Sequence, residues 1–273
     1  MQKDVLAILL ALFVASQMLG LTIADFFVRE NIKATIVTDN PDDVINAFAL
    51  FLYILIMTAF LLVLVSLFKL HGVTMLFEIT ALFATSLILF AIFLPEVAFV
   101  FVLIFVLLRV LFRENIFIKN ISSLISTSVV GALIGVSLGV LPIVIFLIII
   151  CIYDYIAVFK TKHMVKIAEA VVRENTAFTF SLPSKEKIYQ LGTGDLVIPL
   201  AFAAAVLRKA KITYSSPYYF MPPTLILFAS ILGLIITFFY LFQKKHALPA
   251  MPLQGLFMIS VWLGMVLGGM PLI

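Results

Sequence analysis

Two acidic residues lie inside apolar stretches of the chain, where a carboxylate is costly. Asp154 stands in CIYDYIAVFKTKH, and Asp195 follows two glycines in IYQLGTGDLVIPLAF. A charged carboxylate at the centre of a membrane helix costs about 2.5 to 3.5 kcal/mol on insertion scales, so acids in such stretches are candidates for function. Each aspartate lies six or eight residues from a lysine, which would bring both to one level if their helices are adjacent and antiparallel.

Two carboxyl groups at one level cannot both ionise cheaply, so they share a proton. In aspartic proteases, one carboxylate takes a proton from water while the protonated partner polarises the scissile carbonyl. A buried acid pair can also carry protons or cations through a transporter. The two aspartates alone leave both chemistries open.

The residues around Asp195 predict an irregular first turn at the start of its helix. Gly192 and Gly194 carry no Cβ, so we expect the backbone to turn sharply there and to admit water and a substrate chain. Pro199 has no N–H and cannot donate to the carbonyl of Asp195 as in a regular helix. The first helical turn is therefore expected to be loose where the acid lies.

A proline-rich segment, HALPAMP at residues 246–252, precedes the last apolar stretch of the chain. Pro249 and Pro252 predict an extended conformation with unpaired backbone groups. Irregular backbone at membrane depth is stable only against protein or a water-filled cavity. We therefore expect this segment to border the site of the two aspartates.

The elements that position these residues are predicted to be membrane helices. Hydrophobic residues make up 64% of the 273 residues and charged residues 12%, whereas about a quarter of the residues in soluble domains are charged. A hydrocarbon core about 30 Å thick takes roughly 20 apolar residues per helix. We predict an all-α polytopic protein of the cell membrane with nine transmembrane helices, at 5–24, 44–68, 73–93, 97–112, 121–140, 141–159, 191–207, 221–242 and 253–270.

The distribution of Lys and Arg predicts how these helices are oriented. Thirteen of the 18 Lys and Arg residues fall on one side of the arrangement, and Arg109 and Lys119 are counted on that inner side. Because cytoplasmic loops carry excess positive charge, the N-terminus is predicted to be cytoplasmic and the C-terminus outside. The net charge of +4 then reflects topology, and no nucleic-acid partner is expected. Glu78 is expected to play a structural role near the inner surface.

Several other chemistries are disfavoured. Cys151 is the only cysteine, which rules out an intrachain disulfide and a thiolate metal cluster. The three histidines lack HExxH spacing, and we expect neither a metal nor a cofactor. The string GVSLG at 135–139 matches a serine nucleophile elbow, but Gly131, Gly135 and Gly139 recur every four residues and indicate close helix packing.

Taken in order along the chain, these motifs resemble the presenilin and signal peptide peptidase family of GxGD intramembrane aspartyl proteases. YD lies in the sixth apolar stretch, GxGD in the seventh, and a PAL-type segment before the ninth. DLVIP is similar to the signal peptide peptidase version, and YDYIAVF to the presenilin version. The resemblance implies a presenilin-like fold and hydrolysis of peptide bonds within or near transmembrane segments. The length of the chain resembles that of a compact prokaryotic or archaeal member.

The resemblance also implies roles for individual residues. Asp154 and Asp195 would be the catalytic pair that activates water. Six further residues would bind substrate or shape the site, namely Tyr153, Gly192, Gly194, Ala247, Leu248 and Pro249. One position departs from the family pattern, because His246 stands where the family commonly has proline.

The expected partners are transmembrane peptide or protein substrates and the lipid bilayer, and a homo-oligomer is left open. Residues 1–140 are expected to form a scaffold of helices one to five. Residues 141–273 are expected to form the catalytic part, with helices six to nine and an inner loop at 160–190. Two alternatives stay open: a proton- or cation-coupled transporter that uses the same acid pair, and a GxGD peptidase of the prepilin or preflagellin type.

Two elements are predicted within the inner loop. Residues 164–172 have the apolar spacing of a short amphipathic helix at the membrane interface. In residues 177–182, Phe178, Phe180 and Leu182 alternate with hydroxyl side chains, which is the period of a strand. We expect this strand to offer its edge to the substrate, because the peptide bonds of a helical substrate are shielded and must be held extended.

Overall fold

A computed structural model describes residues 2–68, 71–159, 176–184, 188–244 and 249–272. Within these ranges the chain forms nine α-helices and one two-stranded antiparallel sheet. In chain order, and with one 3₁₀ turn at Tyr218–Phe220 before α8, the elements are α1 Gln2–Arg29, α2 Ile45–Phe68, α3 His71–Phe93, α4 Ala98–Leu111, α5 Ile116–Ser137, α6 Val140–Phe159, β1 Thr179–Pro183, β2 Ile188–Gly192, α7 Gly194–Thr213, α8 Met221–Lys244 and α9 Met251–Leu267.

The helices follow the predicted apolar stretches to within a few residues at most ends, because each stretch is bounded by charged or turn-forming residues. By length and composition, five segments of the described chain can cross a membrane: Val5–Arg29, Thr74–Phe93, Ile116–Ser137, Val140–Ala157 and Tyr218–Leu241. The number of crossings and the side on which each terminus lies stay predictions.

At one helix boundary the structure has a different kind of element from the one predicted. The seventh stretch was predicted to begin at residue 191, but Leu191 and Gly192 end β2, and α7 begins only at Gly194. Apolar content alone cannot separate a buried strand from the start of a buried helix. The difference matters because it places a strand directly before Asp195.

Helix α7 lies at the centre of the bundle and packs against α1, α5, α6, α8 and α9. All of its residues from 199 to 207 are buried. The glycines of α5 permit this packing, since a Cβ at Gly131 would collide with Leu200 and a Cβ at Gly135 with Ala201 and Ala204. The packing interpretation of the GVSLG string is therefore confirmed.

The periphery of the bundle is apolar and exposed, as expected for a surface that meets lipid. On α4, four large side chains spaced four residues apart face outward, with exposed fractions from 48% to 65%: Phe99, Leu103, Leu107 and Leu111. A contiguous apolar face of this kind is rare on soluble monomers. Its presence on a helix of only 14 residues indicates that α4 also contacts the hydrocarbon region.

Candidate active site

Asp154 lies near the end of α6 and is held by the first turn of α9. Its Oδ2 accepts a hydrogen bond of 3.3 Å from the backbone N–H of Met251, the first residue of α9. The first four N–H groups of a helix have no partner within the helix, and together they carry partial positive charge. Asp154 therefore satisfies one of these donors and is oriented by it.

Asp195 is the second residue of α7, only three positions after the end of β2 at Gly192. It thus also lies in the first turn of a helix, where the helix dipole favours negative charge. Asp154 and Asp195 line the same cavity. Two residues that are 41 positions apart in the sequence are brought into one site.

Both aspartates line a cavity of about 380 Å³. Its remaining wall is mostly apolar and comes from α2, α5, α6, α7 and the start of α9. Among the described residues, no Lys or Arg forms an ion pair with either aspartate. No three His, Cys, Asp or Glu side chains of the described chain converge as metal ligands would. Within the described chain, the site therefore offers two carboxyl groups without a counter-cation, facing a space with apolar walls.

Gly192 and Gly194 both lie beside Asp195. The backbone turns between them, since β2 ends at Gly192 and α7 begins at Gly194. Neither glycine has a positive φ, so the turn itself does not require glycine. A Cβ at Gly192 would lie 3.6 Å from Oδ2 of Asp195, and a Cβ at Gly194 would meet nothing within 4 Å. Since Gly194 lines the cavity, its missing side chain leaves space next to the carboxylate.

Tyr153 lines the same cavity and packs edge-on against the ring of Phe51 on α2, with 5.8 Å between the ring centroids. This contact joins α2 to α6 one residue before Asp154. The structure thus brings Tyr153 into the site with the two aspartates, as the resemblance implied.

The PAL-type segment is described only in part, because His246, Ala247 and Leu248 lie outside the described residues. Pro249 is not helical, in agreement with the extended segment predicted there. The prediction is wrong for Pro252, which lies in the first turn of α9. Proline is tolerated in that turn because the N–H it lacks would have had no helical partner.

The predicted strand is present and forms a hairpin with β2. Residues 179–182 are confirmed as strand, whereas Ala177 and Phe178 form a turn. Phe180 and Leu182 are fully buried in an apolar cluster. On the other face, the hydroxyls of Thr179 and Ser181 donate to Oε1 of Gln190 at 3.0 and 3.1 Å. The predicted amphipathic helix at 164–172 lies outside the described residues.

Thr193, the second residue of the GTGD string, was not predicted to have a role. Its backbone N–H and its hydroxyl both donate to the carbonyl of Phe178, at 3.2 and 3.1 Å. These bonds tie the start of β1 to the residue that precedes α7. Gln17 of α1 supports the same turn, since its Nε2 donates to the carbonyl of Leu196 at 3.1 Å.

Two basic residues that were counted on the inner side are buried in the bundle. Only 2% and 0% of the surfaces of Arg109 and Lys119 are exposed. Arg109 forms an ion pair of 2.8 Å with Glu78, which gives Glu78 a structural partner on the neighbouring helix. Lys119 donates to Oε1 of Gln190 at 3.3 Å. A count of positive charges cannot separate buried from solvated side chains.

Comparison with known proteins supplies the family. A family model described as signal-peptide peptidase and presenilin aspartyl protease matches residues 10–269. The chain belongs to this family. It is therefore an aspartyl protease, a hydrolase, and a multi-pass membrane protein. The suspected resemblance is confirmed, and the expectation of an enzyme of this class is confirmed with it.

The fold of this family member agrees with solved structures. The chain is similar to a presenilin family intramembrane aspartate protease in a C222 crystal form, with a TM-score of 0.70, 20% identity, and coverage of 96% of this chain and 99% of the other. For the P2 crystal form, the TM-score is 0.64, the identity 21% and the coverage 94% and 96%. At such identity the likeness shows the fold. No curated protein sequence matches the chain significantly.

Proposed function

We propose that Asp154 and Asp195 form the catalytic dyad of an endopeptidase that cuts peptide bonds within or near transmembrane segments. The observation that carries this proposal is the shared cavity, which both carboxyl groups line without a cationic partner in the described chain. A carboxylate that is neutralised by Lys or Arg is a poor proton acceptor. Two carboxyl groups that share one proton provide a base and an acid together.

The reaction then needs only water and the dyad. The ionised carboxylate takes a proton from water, and the water oxygen bonds to the carbonyl carbon of the substrate. The protonated carboxyl group donates a hydrogen bond to the carbonyl oxygen as negative charge develops there. The carbon–nitrogen bond breaks when the dyad returns a proton to the leaving amine, which releases two peptides. The hydrogen bond from Met251 to Asp154 holds one of the two groups in place during these steps.

The substrate strand is proposed to pair with β2 and not with β1, which revises the predicted edge. Thr193 donates to Phe178, so this pair is hydrogen-bonded, and the alternation of an antiparallel ladder makes 180–191 and 182–189 the next such pairs. The backbone groups of Ser181 point away from β2 and bond to Asn120 of α5. The outer edge of β1 is therefore occupied.

The outer edge of β2 is different. By the same alternation, the backbone groups of Ile188, Gln190 and Gly192 point away from β1, and no described residue bonds to them. An extended substrate that adds to this edge lies beside Gly192, three residues before Asp195. Strand addition supplies main-chain hydrogen bonds, which suits an enzyme whose substrates share an extended backbone more than a sequence.

We further propose the orientation that the positive charges predict, with the N-terminus cytoplasmic and the C-terminus outside. The dyad then lies toward the cytoplasmic side, in the part formed by residues 141–273, with residues 1–140 as its scaffold. The substrates are single transmembrane segments that reach the cavity from the bilayer.

Peptide release tests the proposed function. Purified protein in detergent is incubated with labelled single-span substrates, and the products are mapped by mass. We expect cuts within or near the apolar segment, and none with Asp195→Asn. A transporter that uses the same acids releases no peptides, and a prepilin-type peptidase cuts only at the cytoplasmic junction of a leader.

A pair of proline variants tests strand addition. Phe180→Pro removes a donor to β2 together with a buried ring, whereas Thr179→Pro removes a donor that points away from β2. Phe180→Ala loses the same ring and keeps the N–H, so it is the matched control. We expect Phe180→Pro to lower turnover up to about tenfold relative to Phe180→Ala, as for the loss of one backbone hydrogen bond, and Thr179→Pro to lower it less. Equal turnover in folded Phe180→Pro and Phe180→Ala would contradict a role for the hairpin.

A further inference from the structure

The inner end of α5 carries a run of polar residues that neither the family motifs nor the dyad explains. Lys119, Asn120, Ser122 and Ser123 follow one another with only Ile121 between them, and all four are buried. Burying such groups in an apolar bundle is costly unless they form hydrogen bonds. Their bonding partners therefore indicate what the run is for.

Asn120 bonds to the backbone of β1 as a neighbouring strand would. Its Nδ2 donates to the carbonyl of Ser181 at 2.8 Å, and its Oδ1 accepts from the N–H of Ser181 at 2.8 Å. A carboxamide has the same donor and acceptor as a peptide group. The side chain of Asn120 thus takes the place of one residue in a third strand.

Ser123 and Lys119 extend this attachment. The hydroxyl of Ser123 lies within hydrogen-bonding distance of the carbonyls of Ala177 and Thr179, at 2.9 and 3.2 Å. Lys119 reaches Gln190 of β2 at 3.3 Å. Helix α5 therefore contacts both strands of the hairpin through side chains that are themselves buried.

The attachment of the hairpin to α5 fixes the position of the outer edge of β2. The hairpin connects to the dyad through Thr193, which bonds to Phe178 and lies two residues before Asp195. Because β1 is held on α5, the position of the outer edge of β2 relative to Asp195 is fixed. When a substrate strand pairs with this edge, that position determines which of its peptide bonds lies at the dyad.

We propose that Asn120 is a positioning residue that selects the peptide bond to be cut, by holding the hairpin on α5 so that β2 offers its outer edge in one register. The proposal rests on the proposed function, because it assumes strand addition and cleavage at Asp154 and Asp195. Antiparallel pairing shifts in steps of two residues if each side chain is to keep its face. A hairpin released from α5 should therefore cut at additional bonds two residues from the main one.

The distribution of cleavage sites tests this proposal, since a purely structural role would not move it. Asn120→Ala removes both bonds to Ser181, and Asn120→Asp keeps the acceptor while it loses the donor. Ser122→Ala is the matched control, because Ser122 is a buried neighbour whose hydroxyl has no hydrogen-bond partner in the described chain. The products of one single-span substrate are quantified by mass for each purified variant, together with KM and kcat.

We expect the share of secondary cuts to rise roughly 25-fold in Asn120→Ala, the factor expected for the loss of two buried hydrogen bonds of about 1 kcal/mol each. The rise should be smaller in Asn120→Asp, and Ser122→Ala should give the wild-type products. An unchanged product distribution in folded Asn120→Ala, even with a lower rate, overturns the proposal. If that variant does not fold, Ser123→Ala decides, since it removes the hydroxyl that lies within hydrogen-bonding distance of the carbonyls of Ala177 and Thr179. It should shift the products in the same direction, and unchanged products overturn the proposal equally.

The failure of this inference can be told apart from failure of the proposed function. Wild-type protein that releases no peptides, or an Asp195→Asn variant that still releases them, contradicts the dyad itself. Wild-type protein that cuts through the dyad, with products that do not depend on Asn120, contradicts only the positioning role.

Discussion

Glu78 and the pair Asp154 and Asp195 are all carboxylates within apolar helices, but their surroundings differ. Glu78 is 4% exposed and forms an ion pair of 2.8 Å with Arg109, whose guanidinium also donates to the carbonyl of Arg113. Both aspartates line a cavity of about 380 Å³, and no described Lys or Arg pairs with either of them. Glu78 is thus neutralised by a cation, whereas the aspartates have no such partner in the described part of the chain.

The difference shows what a membrane protein requires of a buried acid. A charged group that serves packing must be paired, because an isolated charge in an apolar interior costs several kcal/mol. A dyad that serves catalysis must not be paired with a cation, because its proton has to move. Glu78 lines a smaller cavity of about 150 Å³ whose walls include Thr193 and Val197, which also line the cavity of the aspartates. Glu78 and the two aspartates thus lie in neighbouring cavities, but of these three acids only Glu78 forms an ion pair within the described chain.

The largest expected effect concerns the aspartates. Because a base and an acid are both required, Asp154→Asn and Asp195→Asn should each lower turnover by roughly 10³-fold or more, and the double variant should add little. Turnover is measured with a purified single-span substrate, and thermal unfolding in detergent checks that each variant is folded. Near-normal cleavage by either single variant would show that the substituted aspartate, like Glu78, takes no part in catalysis.

The pH dependence of turnover should distinguish the two kinds of acid. The dyad is active with one shared proton, so turnover should fall at low pH when both groups are protonated, and at high pH when the shared proton is lost. The profile is measured as kcat/KM against pH for the wild type and for Glu78→Gln. We expect the same bell shape in both, because Glu78 is outside the dyad. A profile that loses one limb in Glu78→Gln would mean that Glu78 belongs to the titrating group.

A smaller effect on turnover, but a large effect on stability, is expected at the ion pair. Glu78→Gln or Arg109→Met leaves one buried partner without its counter-charge, which costs about 3 to 5 kcal/mol. The double variant Glu78→Leu with Arg109→Met should recover most of that loss. Unfolding by denaturant in detergent measures the stability.

The control for the ion pair is turnover per folded molecule. It should change by less than about tenfold in these variants, because neither side chain contacts the reacting groups, and tenfold corresponds to only 1.36 kcal/mol of barrier. Single variants as stable as the wild type would show that the pair contributes nothing to folding.

Much of the fold and of the site could be predicted from local sequence. The helices follow the predicted apolar stretches because burial in lipid demands long runs of apolar residues, and strand β1 follows from the alternation around Phe180 and Leu182. Both aspartates were found because a carboxylate in such a run is conspicuous. Local signals failed where an element changed within one apolar run, as at Leu191, where a strand gives way to a helix.

The attachment of the hairpin was missed, although part of its signal was visible. Lys119, Asn120 and Ser123 form a polar run in an apolar helix, which indicates buried hydrogen bonds. The run alone does not show which residues these side chains bond to. Lys119 was interpreted instead as a loop charge, since its position near a helix end is equally typical of a solvated lysine.

By itself, the sequence determined what each segment is: which stretches are apolar enough for the membrane, which stretch alternates as a strand, and which residues carry titratable groups. The tertiary structure alone decided how these groups are partnered. Arg109 pairs with Glu78 across 31 residues, Asn120 with Ser181 across 61, and Met251 with Asp154 across 97. Hydrophobic periodicity is a local property of neighbouring residues, whereas a buried hydrogen bond depends on which helices pack together. A carboxylate within an apolar helix is therefore paired with Arg109 at Glu78 and bonded to the first turn of α9 at Asp154.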